Sequence, residues 1–123
     1  MKLVNRMCPA LLAGCFLLFS LPSHAADLPI KVDARADKIH KGLTFPVWRY
    51  TITSMDNNIT LQSLELNRGN CKISTNDRGK NTNVRLGFGQ SYTFTSPTNS
   101  SYTDCRPLEL IVNTNKGPYT FTW

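Results

Sequence analysis

The chain has 123 residues, of which 14 are Lys or Arg and 8 are Asp or Glu, for a formal charge of +6. That length holds one small domain and excludes two globular ones. With 41% apolar and 18% charged residues the composition is too apolar for a disordered polyelectrolyte, while a mean hydropathy of -0.26 is too polar for a protein that crosses a membrane several times.

The first stretch reads as an export signal. Lys2 and Arg6 give a positive start, Ala10 to Leu21 an apolar run, and Ser23-His24-Ala25 the small residues that a signal peptidase reads. The run is shorter than the ~20 residues a permanent anchor needs, and Pro22 stops it. Cleavage is expected after Ala25, leaving 26–123 as a single domain with no membrane span. Leu12-Ala13-Gly14-Cys15 resembles the lipobox of bacterial lipoproteins, yet the apolar stretch continues past Cys15 through Phe16 to Leu21. Both readings export the chain, to the periplasm or beyond.

From there the pattern is that of strands. Apolar residues recur at every second position in Ile30, Val32, Ala34 and in Trp48, Tyr50, Ile52. Ile59 and Leu61 shift phase to Leu64 and Leu66, which predicts a bulge near Gln62 and Ser63. Val84, Leu86, Phe88, then Tyr92, Phe94, then Leu108, Leu110, Val112, and finally Tyr119, Phe121, Trp123 complete about seven strands. Turn formers separate them at Asp56 to Asn58, Asn67 to Asn70, Asn76 to Gly79, Ser96 to Asn99 and Asn113 to Pro118. Asp33 to Lys41 is the one stretch given to a turn or two of helix. So many large apolar residues exceed what one sheet with a wet face shelters. The prediction is an all-β sandwich of the immunoglobulin or fibronectin type III kind, with a small closed barrel as the alternative.

Removing the signal takes Cys8 and Cys15, leaving Cys71, expected to enter a strand after the Gly69 turn, and Cys105, just before Leu108 to Val112, so that a bridge would tie two strands or a loop to a strand. In an oxidising compartment two thiols pair. The bridge closes a loop of about 35 residues, worth roughly 3 to 4 kcal/mol in the chain-entropy model. A redox pair would sit closer in sequence. A zinc site fails as well, because two Cys and the single remaining His40 fall short of four ligands.

The processed chain keeps 12 basic against 8 acidic residues, or +4. Arg68, Lys72, Arg78, Lys80, Arg85 and Arg106 group loosely without a run of five. That is a solvated basic face or a patch for an acidic partner surface, and an exported chain of this composition does not point to nucleic acid. No catalytic constellation emerges: His40 lies in a charged stretch with no nucleophile motif nearby, and Asp33, Asp37 and His40 would share a face only on a helix crowded by Arg35, Lys38 and Lys41. Gly87-Phe88-Gly89 is too short to cradle a phosphate. Asn58-Ile59-Thr60 and Asn99-Ser100-Ser101 read as turn chemistry. No enzyme activity, metal or cofactor is expected. Most aromatics read as core, and Trp123 as either the end of a paired strand or an exposed anchor.

The segments Leu66 to Lys72, Leu86 to Tyr92, Cys105 to Leu110 and Gly117 to Trp123 resemble a family of small exported enterobacterial proteins that mimic interleukin receptors. The resemblance covers roughly 60–123, and Asp27 to Thr44 lies outside it. It implies a fibronectin type III-like sandwich with one disulfide, a homodimer formed by exchanging strands, and binding of host cytokines. It carries no binding residues over to this sequence. The expected function is that of a protein-binding module. The alternatives are a structural or assembly subunit of a pilus or conjugation type, and a periplasmic inhibitor of a lytic enzyme acting through Arg78-Gly79-Lys80.

Overall fold

The computed structural model describes residues 28–74 and 81–123. The expected signal peptide, with Cys8 and Cys15, and the segment Asn76 to Lys80 lie outside the described residues. Seven strands follow in order: β1 (Ile30–Lys41), β2 (Leu43–Ser54), β3 (Ile59–Leu66), β4 (Val84–Leu86), β5 (Ser91–Pro97), β6 (Glu109–Thr114) and β7 (Gly117–Thr122), with a 3-10 turn at Asn67–Gly69. They form two antiparallel sheets, ordered β1-β2-β5 and β4-β3-β6-β7.

One core joins the sheets. The first contributes Ile30, Tyr50, Ile52 and Phe94, the second Ile59, Leu61, Leu64, Leu66, Leu86, Leu110 and Val112. Each is buried because period-two alternation turns every second side chain to the same face, and each large apolar side chain buried contributes roughly 1.5 to 3 kcal/mol. The described residues therefore form an all-β sandwich with one disulfide. Its fourth strand pairs with β3 in the second sheet, whereas the immunoglobulin constant arrangement puts the fourth strand beside the first, second and fifth.

The predicted bulge is present: the β3–β6 register shifts between Leu61 and Ser63, so Leu61, Leu64 and Leu66 all reach the core despite their odd spacing. Three expectations need correcting. Asp33 to Lys41 is not helical, because β1 pairs with β2 residue by residue from Ile30↔Ser54 to Lys41↔Leu43, and a ladder of that length outweighs the stretch's modest helical propensity. Phe88 does not extend β4: it lies in a turn closed by Gln90 N–H donating to the Gly87 carbonyl, with Gly89 at φ +82°. Cys71 enters no strand, and follows the 3-10 turn in a loop.

The strand directions sort the connections. The β1–β2 turn, the β3–β4 and β5–β6 connections and Trp123 lie at one end, called here the upper end. The β2–β3, β4–β5 and β6–β7 connections lie at the other. Gly42 alone joins β1 to β2 at φ +77°, a conformation in which a side chain would be strained.

Candidate functional site

The upper end carries the features that packing alone does not require. Cys71 and Cys105 are bonded, with Cα atoms 5.7 Å apart, and tie the β3–β4 connection to the β5–β6 connection. The bridge joins loop to loop, where two strands or a loop and a strand were expected, because β3 ends at Leu66 and β6 begins only at Glu109. Beside it Asn67 holds the corner. Its Oδ1 accepts from the backbone N–H of Leu108 (3.1 Å) and Glu109 (2.9 Å), and its Nδ2 donates to the Arg106 carbonyl (2.9 Å) and reaches Cys71 Sγ (3.3 Å). Asn67, Arg68, Tyr102 and Cys105 all sit at positive φ, leaving only Asn83 elsewhere among the described non-glycine residues. Backbone outliers of this kind persist where surrounding bonds overdetermine them, as the disulfide and Asn67 do here. Asn99 shapes the same region, accepting from the Thr103 N–H at 2.9 Å, which is turn chemistry as expected.

A groove of about 1060 Å³ opens between these loops and the ends of β6 and β7, lined by Arg68, Cys71, Cys105, Arg106, Leu108 and Trp123 among others. Arg68 is held by Glu109 at 3.1 Å. Trp123 lies just beyond the end of β7. Its backbone N–H donates to the Leu108 carbonyl, while the residue is 49% exposed and its ring meets the Tyr50 ring edge-on at 6.0 Å. Tyr50 in turn stacks on Phe94 at 4.8 Å, and Trp48 meets Tyr102 edge-on at 5.9 Å. The Tyr50 hydroxyl, Trp48 Nε1 and Ser96 Oγ are buried with no hydrogen-bond partner among the described residues. Burial pushes the Tyr50 phenol above its ordinary 10.0 because the ionised form would lose its solvation.

The second feature is a projecting ribbon. β5 pairs with β2 only from Val47 to Thr53, and one further bond joins Thr98 N–H to the Pro46 carbonyl. Beyond that point Ile39 to Phe45 is two-stranded, with Ile39 opposite Phe45. Along β2 the apolar phase changes here. Trp48, Tyr50 and Ile52 face the core, whereas Val47, Phe45 and Leu43 belong to the opposite face. Leu43 is 71% and Phe45 48% exposed, so Phe45, like Phe88, is no core residue. His40 lies on the polar face of the ribbon, with Nδ1 3.1 Å from Thr44 Oγ1. Asp33 and Asp37 are on the other face of β1, so the strand separates the three residues that a helix would have gathered. Among the described residues no three His, Cys, Asp or Glu side chains are grouped to hold a metal, and no helix is long and apolar enough to cross a membrane.

The basic residues divide. Arg68 and Arg106 line the upper groove, whereas Arg85 on β4 donates to Asn58 Oδ1 at the lower end. Asp37 bridges the outer face of the first sheet. Its Oδ2 accepts from Arg49 Nε at 2.6 Å, and the Lys38 N–H donates to its Oδ1. The Arg49 hydrogen bond, then that amide, hold its carboxyl below the ordinary 3.8, and its charge offsets the opposed Arg35 and Arg49. Asp56 is lowered likewise by Lys116 at 2.6 Å. Comparison with protein-family models, with curated proteins and with solved structures gives no match.

Proposed function

We propose that the chain is an exported protein-binding module whose partner contacts the projecting ribbon. The observation that supports this reading is the reversal of apolar phase at Val47: from there outward, Phe45 and Leu43 sit in solvent on a short, narrow element. Exposed apolar side chains on a presented element mark interaction surfaces, and aromatic anchors carry a large share of binding energy at interfaces. Trp123 and Leu108, exposed beside Arg106 at the same end, extend the surface. The resemblance to interleukin-receptor mimics implies a host cytokine as the partner class and a location outside the cytoplasm.

The test is a panel of interleukins over the immobilised, disulfide-bonded chain. Saturable binding by at least one member below about 10 μM supports the reading, and none across the panel defeats the host-cytokine version. A subunit of a surface apparatus differs in autonomy: it would aggregate or demand a chaperone when expressed alone, whereas a self-sufficient sandwich stays monodisperse.

A further inference from the structure

We propose that the open edge of β1 pairs with the same edge of a second copy, antiparallel about a two-fold axis at Ala34, so that two intact sandwiches share one six-stranded sheet. β1 is the longest free edge among the described strands. It bonds β2 on one side over all its length and has no neighbour on the other, whereas the free edge of β5 is bridged by Ser74 and β4 has three residues. Unpaired N–H and C=O groups along an edge are a template for another strand.

The side chains decide which strand fits. Lys31, Asp33, Arg35 and Asp37 alternate in sign at every second residue of β1, all on the face away from the core. In a two-fold antiparallel pair, residues equidistant from the axis lie opposite one another. The axis must fall on a residue, because a half-step would turn one copy's core face to the other's solvent face. With the axis at Ala34, Lys31 meets Asp37 of the second copy and Asp33 meets Arg35, each pair occurring twice, while Val32 meets Ala36 on the inner side. Moving the axis to Asp33 opposes Asp33 to itself and Lys31 to Arg35. Moving it to Arg35 opposes Arg35 to itself and Asp33 to Asp37. Opposite charges directly across a strand pair attract and like charges repel, so the pattern selects one register among its neighbours.

The weight falls on Asp33 and Arg35. Asp37 already accepts from Arg49 and from the Lys38 amide. Asp33 has no ion pair among the described residues, and Arg35 is exposed and reaches Asp37 only at 4.0 Å. Charged edge residues commonly serve to block pairing with other sheets. Here the same charges would block foreign edges and admit a copy of their own.

Sedimentation equilibrium of the processed, disulfide-bonded chain from about 10 μM to 1 mM tests this, since edge pairing alone buries little area and gives weak association. The expected result is a concentration-dependent dimer weakened by salt. Asp33→Arg and Arg35→Asp alone should each raise the dissociation constant about tenfold or more, because each alters two symmetric pairs. The double variant Asp33→Arg/Arg35→Asp should restore it by exchanging the signs. A monomer at every concentration overturns the proposal. So does a dimer indifferent to the single substitutions, as strand exchange would give, or a double variant no tighter than the singles. Edge pairing leaves both ribbons free, so a failed interleukin panel and a monomeric chain are separate results.

Discussion

Replacing Asn67 tests whether the upper end is held by one side chain. Three contributions can be separated. Asn tolerates the left-handed backbone at φ +48°, where another L-residue costs about 1 to 2 kcal/mol. Oδ1 accepts from two backbone amides, each hydrogen bond contributing about 0.5 to 1.5 kcal/mol. Of the two, the Glu109 amide is costlier to abandon because Glu109 is half-buried, while Leu108 is exposed to water. Nδ2 adds the bond to the Arg106 carbonyl. Asn67→Ala loses all three, and the expected cost is about 2 to 4 kcal/mol, a large fraction of a small domain's stability. Asn67→Gly relieves the backbone but loses the bonds. Asn67→Asp retains the acceptor and loses the donor. Urea unfolding followed by tryptophan fluorescence should rank the cost Asp below Gly below Ala. An alanine variant within about 0.5 kcal/mol of the parent, or a glycine variant as costly as alanine, refutes the reasoning.

Replacing both Cys71 and Cys105 by Ser should lower stability by about 3 to 4 kcal/mol, read from the same urea curves. Tyr50→Phe removes a fully buried hydroxyl with no partner among the described residues and should raise stability by about 1 kcal/mol; a lower urea midpoint would contradict it. Because the folded phenol's pKa is raised, Tyr50's contribution is complete below about pH 10 and is lost as pH climbs through the folded value, so the same variant should flatten the alkaline limb. Asp37 and Asp56 have lowered folded values, so their contribution is complete above about pH 4 and is lost as pH falls through the folded value. Asp56→Asn combined with Lys116→Met should flatten the acid limb of stability against pH.

Much of the fold was legible in the sequence because alternation with a period of two reports burial directly. Each apolar series marks a strand, and the slip from Leu61 to Leu64 marks the bulge. The part of β1 beyond Ala34 was illegible for the same reason: Arg35 and Asp37 alternate with Ala36, Lys38 and His40, so their pairing is set by the β2 ladder and not by their own hydropathy. The disulfide followed from counting cysteines, but its loop-to-loop placement depends on where β3 ends. At the site, Trp123 stood out by type, while Asn67 read as an ordinary turn residue because its partners, Arg106 to Glu109, are some forty positions away. Leu43, Phe45 and Val47 carried a usable signal, an apolar phase opposite to that of Trp48, Tyr50 and Ile52. Its meaning needed the length of β5, which decides where the sheet stops and the ribbon begins.

The central claim is that recognition runs through the ribbon. Its most direct measurement is the dissociation constant of the tightest-binding interleukin in the panel for the parent chain and for Leu43→Ser/Phe45→Ser, with Thr53→Ala at the far end of β2 as control. The account predicts at least a tenfold loss for the ribbon variant, about 1.4 kcal/mol or more, and parental affinity for the control. Equal affinities for all three chains would contradict it.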